Sequence, residues 1–225
     1  MRINRHVWGL LAVAGLAFFA GRSGLFSGAE TVALAADTKK PKQARVEPSE
    51  AERSAMEAEM EAYLKATAPG EHHEMLKEFL GPWDARFTMW MDPDAPPLVS
   101  EGVVERELVL GGRFLKEEIE ATSAMGPFHA ISFMGYNSVD GRYEFVWMDD
   151  MSTAIHVGSG VFDPDRNVLR TWYTMRDPIT GKLSSTRSET TCGNPDRHTF
   201  VEYLTGPDGR ERKWMEGELK RRGNM

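Results

Sequence analysis

The fold of this chain is decided by residues 79–91, which read FLGPWDARFTMWM. From Trp83 onward, apolar residues recur at every second position, and mostly polar residues fill the positions between them. This alternation is typical of a β-strand with one face in a core, because successive side chains of a strand point to opposite faces of the sheet. The inward face is predicted to carry Trp83, Ala85, Phe87, Met89 and Met91.

The arrangement of strand, short turn and strand continues to the end of the chain. The connections are rich in Gly, Pro, Asp and Asn, as in 177–181 (DPITG) and 206–209 (GPDG), which suits hairpins between antiparallel strands. No long helical pattern interrupts the run, so parallel crossovers are not expected. Ten strands are predicted, at 83–91, 98–110, 113–122, 128–137, 142–150, 153–162, 167–176, 182–192, 197–205 and 211–221.

Ten consecutive antiparallel strands must protect their edges, and closure into a barrel removes the edges altogether. We therefore predict an all-β domain over 81–222, built as a ten-stranded antiparallel up-and-down barrel. A two-sheet sandwich is the alternative. Residues 49–80 are predicted to form a helical extension, with one helix from Glu50 to Ala66 and a shorter one from Glu71 to Leu80.

The N-terminus has the organisation of a signal peptide. Basic residues precede an apolar run over 7–20, and a small-x-small cleavage site follows at 33–35. The apolar run is shorter than the roughly 20 residues that span a bilayer as a helix. We predict a signal peptide over 1–35 and a disordered linker over 36–48, with export to the periplasm or the extracellular space. An N-terminal membrane anchor is the alternative, and without it no stable membrane insertion is expected.

The composition narrows the range of partners. The net charge of the 225-residue chain is -7, and an acidic surface disfavours binding to nucleic acid because it repels phosphates. The single cysteine, Cys192, excludes an internal disulfide and is interpreted as a buried bystander thiol. The 13 methionines are interpreted as core packing rather than as a copper site, and no metal is expected.

Several short motifs together resemble a known family. Gly81-x-Trp83, placed after a short helix, resembles the opening of the calycin group, which includes lipocalins, fatty-acid-binding proteins and nitrobindins. With the further motifs, the sequence over roughly 73–222 is similar to the bacterial domain-of-unknown-function family 1579. The resemblance implies a calycin-like barrel and no established activity. The further motifs are 89–93 (MWMDP), 111–115 (GGRFL), 135–137 (GYN), 147–151 (WMDDM), 177–182 (DPITGK) and 198–202 (HTFVE).

Side chains on the faces predicted to point into the barrel are the candidate binding residues. They would form an aromatic wall with a polar anchor, either Asp149 or Arg187, whose guanidinium could hold a ligand carboxylate. An ion pair between Arg187 and Glu189 on the outer wall is the alternative. The predicted lumen residues are Trp83, Phe87, Met89, Phe145, Trp147, Asp149, His156, Trp172 and Arg187.

These residues favour a non-enzymatic barrel that binds a small apolar or amphipathic ligand, without a cofactor, in a lumen cavity of a few hundred Å³. One alternative is an acid/base isomerase or lyase that uses Asp149 or His156, although no nucleophile with a visible base supports an enzyme. Another, which the resemblance to nitrobindins implies, is haem binding through His198 or His156. A structural barrel with a filled lumen is a further alternative, and the sequence leaves a homodimer open.

Overall fold

The computed structural model describes residues 47–92, 95–206 and 208–223. The predicted signal peptide at 1–35, and the predicted linker at 36–48 apart from its last two residues, lie outside the described residues. None of the helices within the described ranges is long and apolar enough to cross a membrane.

Two helices and a 3₁₀ turn precede the strands. Helix α1 covers Glu50–Ala66 and begins with a capping box, in which the Ser49 hydroxyl accepts from the Glu52 N–H and the Glu52 carboxylate accepts from the Ser49 N–H. Helix α2 covers Glu71–Met75, and the 3₁₀-helix covers Leu76–Phe79. Leu76 is fully buried and Phe79 is 4% exposed, so the second and third of these elements cover one end of the strand domain.

The strands follow the predicted sequence of hairpins closely. β1 begins at Gly81, two residues before the prediction, because Gly81 already pairs with Arg106, whereas β6 begins at His156 rather than at 153. The ten strands are β1 (Gly81–Met89), β2 (Leu98–Val109), β3 (Phe114–Ser123), β4 (Gly126–Asn137), β5 (Arg142–Asp149), β6 (His156–Asp163), β7 (Val168–Arg176), β8 (Leu183–Thr191), β9 (Arg197–Thr205) and β10 (Glu211–Arg221).

The sheet closes because β1 pairs with both β2 and β10. Trp83 lies opposite Val104 on one side and opposite Arg221 on the other. All neighbouring strands are antiparallel and, apart from β1 and β10, consecutive in the chain. The register shifts between Lys213 and Met215, where β10 is irregular. The predicted ten-stranded up-and-down barrel is confirmed. The sandwich alternative is wrong, because this ring of strands has no free edge.

The register fixes which side chains point inward. Trp83 is completely buried, so its side chain points inward. The residues that pair with it on the following strands point to the same side of the sheet and are therefore also inward. That face passes through Val104, Ile119, Ala130 and Asp149 on β2 to β5. Because side chains alternate along each strand, every inward position of the barrel follows from this one row.

Two clusters of buried apolar residues fill the barrel from the end nearer to α2 through its middle, where Phe128, Trp147 and Met215 pack against one of them, and we call the half nearer to α2 the capped half. The Trp83 indole N–H donates to the Phe79 carbonyl at 2.8 Å, which fastens the 3₁₀-helix to β1. Burial of each large side chain stabilises the fold by about 1.5–3 kcal/mol. One cluster contains Leu76, Phe79, Leu115, Tyr143, Leu169 and Cys192, and the other contains Trp83, Ala85, Phe87, Val104, Ile119, Ala121, Ala130 and Leu219.

The inner wall at β6 is made of glycine and is covered by an aromatic ring. A Cβ at Gly158 would lie 2.4 Å from the Phe145 ring and 2.5 Å from the Trp172 carbonyl oxygen. No residue with a side chain fits there unless its neighbours move. The glycine therefore allows the Phe145 ring to lie directly against the backbone of the next strand.

Candidate functional site

The interior of the barrel farther from α2 is less tightly filled, and we call it the open half. Most of its side chains remain partly exposed although they point inward, in contrast to the buried residues of the capped half. Solvent therefore reaches part of this interior, while Thr186 is 1% exposed and burial dominates around Glu202. The side chains that line the open half are Phe128, Trp147, Asp149, His156, Tyr173, Thr186, Glu202 and Met215.

Aromatic rings form a large part of this lining. Phe128 stacks on Trp147 with the ring centroids 6.4 Å apart, and Tyr173 meets the edge of Phe145 at 6.0 Å. The imidazole of His156 lies 5.8 Å from the Tyr173 ring. These contacts hold the rings in defined positions and give the open half two groups of aromatic side chains with polar groups between and beside them.

Asp149 is a positioned carboxylate at the end of β5. One of its oxygens accepts a hydrogen bond of 2.9 Å from the Trp147 indole N–H, and the other accepts one of 3.0 Å from the Met151 N–H. Both contacts are local, so the carboxylate is fixed in orientation beside the aromatic wall. A ligand that meets Asp149 would find a pre-oriented acceptor.

Glu202 is the second carboxylate of the open half. It points inward between Phe200 and Leu204 on β9 and lies opposite Ser188 on β8. Burial raises the pKa of Glu202 to about 7, and an interaction with the Trp214 indole N–H opposes this rise. The pKa of Tyr173 is also raised above its usual value, mainly by burial of its hydroxyl group and then by the charge of Glu202. Glu202 therefore changes its protonation state near neutral pH.

The capped half contains a buried ion pair. The Arg106 guanidinium donates to Glu117 at 2.5 Å, and their side chains are only 10% and 16% exposed. The Ser132 hydroxyl donates to the other Glu117 oxygen at 3.3 Å, and the guanidinium lies over the Phe79 and Trp83 rings. These contacts place the pair among the packed residues of the capped half.

His198 also belongs to the capped half. It is 1% exposed and stacks on Trp83 at 4.5 Å, while Phe79 meets it edge-on at 4.9 Å. Burial, with the charges of Arg106 and Arg221, lowers the pKa of His198 to about 4, so the ring is neutral at pH 7. His198 lies among these rings rather than in the open half. Among the described residues, no group of three or more His, Cys, Asp or Glu side chains could hold a metal ion.

The structure separates the predicted lumen residues into two sets. Seven point inward, but Trp172 and Arg187 lie on the outer wall, which corrects the expectation that they line the lumen. The guanidinium of Arg187 contacts Glu189 and Glu211, both at 2.8 Å, and lies 4.2 Å from the centre of the Tyr203 ring. The seven inward residues are Trp83, Phe87, Met89, Phe145, Trp147, Asp149 and His156.

The corrections have a physical reason in the composition of β7 and β8. The inward positions of β8 carry the hydroxyl residues Ser184, Thr186 and Ser188, so this strand has no apolar face that identifies the core. On β7, two adjacent aromatic residues occupy opposite faces, and Tyr173 rather than Trp172 points inward. The alternative of an Arg187–Glu189 ion pair on the outer wall is what the structure shows.

Sequence reasoning missed Glu202, although a signal was present. Phe200, Glu202 and Leu204 alternate on one face of β9, so the carboxylate stands alone between two apolar residues. The pairing of Arg106 with Glu117 was not visible, because it depends on the register between β2 and β3. A lone carboxylate on an apolar face is costly to bury, and this cost is a useful indicator of function.

A cavity of about 750 Å³ lies against the outside of the barrel rather than in the predicted lumen position. Residues of β3 to β8 line it, most of them at outward positions, and the inward-pointing residues Phe145, Tyr173 and Thr186 also border it; we call it the outer-wall groove. Val157 is 64% exposed and Trp172 is 41% exposed. The side chains that define the groove are Phe133 on β4, Val146 on β5, Val157 on β6 and Trp172 on β7.

The fold and the interior together define an antiparallel up-and-down barrel with one capped and one open half. The chain belongs to the family described as "Protein of unknown function (DUF1579)", whose model matches residues 68–221. This confirms the resemblance found in the sequence. None of the curated proteins matches the chain.

Two solved structures show the same fold at low sequence identity, and a third is similar to part of this chain. Rv2717c from M. tuberculosis is 17% identical with a TM-score of 0.50, and the match covers 68% of this chain and 99% of that one. The S-type phycobiliprotein lyase CPES from Guillardia theta is 10% identical with a TM-score of 0.50, covering 70% and 99%. A designed fluorescence-activating β-barrel is 16% identical with a TM-score of 0.36, covering 65% and 96%.

Proposed function

We propose that the protein is a non-enzymatic barrel that binds a small apolar or amphipathic ligand in its open half. The observation that carries this proposal is the contrast between the two halves of one interior. The capped half is filled by buried apolar clusters, whereas the open half keeps inward aromatic side chains partly exposed. Partly exposed aromatic groups around a few convergent polar groups are typical of small-molecule sites.

The polar groups favour one orientation of such a ligand. Its apolar part would lie against Trp147 and Tyr173, and its polar end would meet Asp149 or Glu202. Because both anchors are carboxyl groups, the polar end should carry a hydrogen-bond donor rather than a carboxylate. An anchor at Arg187 would instead have favoured a ligand with a carboxylate. Arg187 does not reach the interior, because it lies on the outer wall.

A neutral fluorescent dye tests the position of the site. The purified protein is titrated with Nile red, together with the variants Trp147→Ala and Trp172→Ala. Both variants remove an indole, but one is taken from the open half and the other from the outer-wall groove. We expect Trp147→Ala to weaken binding by about tenfold or more, because an aromatic anchor is worth over 1 kcal/mol, and Trp172→Ala to leave it unchanged. The reverse result would move the site to the outer wall.

The natural ligand requires a different measurement. Native mass spectrometry of the protein purified from its own host should show a mass increment of a few hundred daltons that is lost on denaturation. The increment should be smaller or absent in Trp147→Ala. A homogeneous ligand-free protein that also fails to bind the dye would contradict the proposal.

A second candidate function is acid/base catalysis in the same interior. It is favoured by the raised pKa of Glu202, because a carboxyl group that titrates near pH 7 suits proton transfer. In this case Glu202 would act as the acid/base, instead of the Asp149 or His156 predicted from the sequence. Once an activity is detected, Glu202→Gln should abolish it while dye binding persists, and Asp149→Asn should leave it measurable.

We also propose export, for which the support is the N-terminal sequence. A basic segment, an apolar run over 7–20 and the 33–35 cleavage site form the pattern of a signal peptide. Protein recovered from the periplasmic fraction should begin after Ala35 when its N-terminus is sequenced. Recovery in the membrane fraction with residues 1–35 intact would favour the anchor alternative.

A further inference from the structure

A row of polar side chains crosses three neighbouring strands on the inner wall of the barrel. Thr171 on β7 lies opposite Ser188 on β8, and Ser188 in turn lies opposite Glu202 on β9. All three point inward, because Glu202 is inward and residues that pair across strands face the same side of the sheet. We call Thr171, Ser188 and Glu202 the polar row.

The two hydroxyl residues of the polar row are buried, and their hydroxyl groups lack a partner. Ser188 is 6% exposed and Thr171 is 8% exposed. Among the described residues, none forms a hydrogen bond with either hydroxyl group. A buried hydroxyl group without a hydrogen bond costs free energy, so this part of the wall is suited to a further polar group inside the barrel.

Glu202 is the ionisable member of the polar row. Burial raises the pKa of Glu202 to about 7, and the Trp214 indole N–H opposes this rise, but that N–H is itself buried without a hydrogen bond. Asp149 differs, because each of its two oxygens already accepts a hydrogen bond from the protein. Of these two carboxyl groups in the open half, Glu202 is therefore the one available to a ligand.

The surroundings of Glu202 favour a cation over an anion. Burial raises the pKa of Tyr173, and the negative charges of Glu202 and then Asp149 raise it further, so both carboxyl groups act on one phenol hydroxyl. The inward residues of β8 are uncharged. The basic groups on this side are His156, whose ring lies 5.8 Å from the Tyr173 ring, and Arg212, which is exposed at the first inward position of β10. Water screens the exposed Arg212 charge, so the interior beside Glu202 is acidic.

A protonated amine matches these groups in kind and in number. An ammonium group has three N–H donors and no acceptor, and the carboxylate and the two hydroxyl groups of the polar row can all accept. Pairing with a carboxylate also offsets the cost of taking an ammonium group out of water. The rings of Trp147 and Tyr173 suit the apolar part of such a ligand, and their faces attract a cation.

We propose that the ligand of the open half is a primary amine with an apolar chain, bound as its ammonium ion to Glu202 and Ser188. This assignment depends on the ligand-binding function proposed above, and it selects Glu202 rather than Asp149 as the anchor. It also couples binding to pH. Because the ammonium group pairs with the ionised carboxyl group, affinity should rise as the pH increases through 7 and fall as Glu202 is protonated below it.

Three probes with the same apolar chain test the charge of the ligand. Octylamine, octanol and octanoate are each used to displace Nile red from the protein at pH 8.5, where Glu202 is ionised and an alkylamine is still protonated. We expect octylamine to act at a concentration at least about tenfold lower than octanol, because hydrogen bonds to charged groups are the stronger ones, and octanoate to be the weakest. The preference for octylamine over octanol should be smaller at pH 5.5.

Variants of the polar row locate the ammonium group. Glu202→Gln should reduce the affinity for octylamine to that for octanol while Nile red still binds, and Ser188→Ala should weaken octylamine by about threefold or more. Glu216→Gln is the matched control, because it removes an exposed carboxylate from the outer face of β10 and should keep the preference for the amine. Circular dichroism and retained Nile red binding show that the variants are folded.

Calorimetry measures the proton that leaves Glu202 when the amine binds. At pH 7, titration with octylamine in two buffers of different ionisation enthalpy should show release of about half a proton per bound amine, and none in Glu202→Gln. Equal displacement of Nile red by octylamine and octanol, or stronger displacement by octanoate, would overturn the amine assignment and leave the proposed function standing. A wild-type protein that does not bind Nile red would contradict both.

Discussion

The imidazole of His198 stacks on the indole of Trp83 at a centroid distance of 4.5 Å, inside the capped half of the barrel. Trp83 is on β1 and His198 is on β9, and both strands pair with β10. The contact therefore links strands from opposite ends of the barrel sequence across the strand between them. It also keeps a titratable ring within an apolar cluster, with consequences for stability in acid.

Acid should destabilise the protein through His198. Its pKa is lowered to about 4 in the folded state, against an ordinary value near 6.5, so the unfolded chain binds more protons between these values. The stability associated with the neutral ring is present above pH 6.5 and is lost as pH falls towards 4, by up to about 3 kcal/mol. In urea denaturation, His198→Met should lose correspondingly less stability than the wild type between pH 7 and pH 4. Parallel losses in both proteins would contradict this assignment.

Raising the pH from about 4.5 to about 7 should destabilise the protein through Glu202. Here the folded pKa is raised to about 7, so the stability of the protonated form is present at low pH and is lost as pH rises through 7. Glu202→Gln keeps the shape but cannot ionise. Relative to the wild type, we expect the variant to gain about 2 kcal/mol between pH 5.5 and pH 8.5, measured by denaturant unfolding. A difference that does not change with pH would show that the carboxyl group does not titrate in this range.

The buried Arg106–Glu117 pair should respond very differently to single and double substitution. Glu117→Gln leaves the Arg106 charge without its partner and should cost about 3–5 kcal/mol of unfolding free energy. The double variant Arg106→Met with Glu117→Leu removes both charges and should be considerably more stable than the single variant. A loss in the double variant equal to the sum of the losses in Arg106→Met and Glu117→Leu, each measured alone, would mean that the two residues are not coupled.

Gly158 should not tolerate a side chain. Alanine at this position meets the Phe145 ring and the Trp172 carbonyl, and we expect a loss of about 1–3 kcal/mol in thermal or chemical unfolding. Gly223→Ala is the matched control, because a Cβ there meets nothing within 4 Å. Equal stability of the two variants would show that the wall at β6 can move outward without cost.

The sequence predicts the strands well because each one is bounded by turn residues and carries a period of two. The stretch around Trp83 shows its inward face directly, since its alternate residues are apolar. β8 shows no such apolar face. Its inward residues carry hydroxyl groups, and its outward residues include Arg187 and Glu189. From the sequence alone, either face of this strand could therefore be the core face. The structure resolves this through the register with Tyr173 on β7.

The candidate site was only partly visible for a similar reason. Trp147 and Asp149 share a face with two aromatic residues on β5, and this local pattern places them together. Glu202 belongs to the site because β9 brings it to the same interior, and that depends on the closure of the whole ring. Long-range pairing of this kind leaves only a weak trace in a single sequence, here one acid between Phe200 and Leu204.

The seam between β1 and β10 sets a condition on synthesis of the protein. Arg222 binds Asp84 across this seam at 2.6 Å, and the two residues are 138 positions apart in the chain. A nascent chain cannot close the ring until its last strand has left the ribosome. Until then, the apolar faces of nine strands are not enclosed by a complete barrel. During that interval the unfinished sheet has two open edges, and this is the period in which a chaperone would have most to protect.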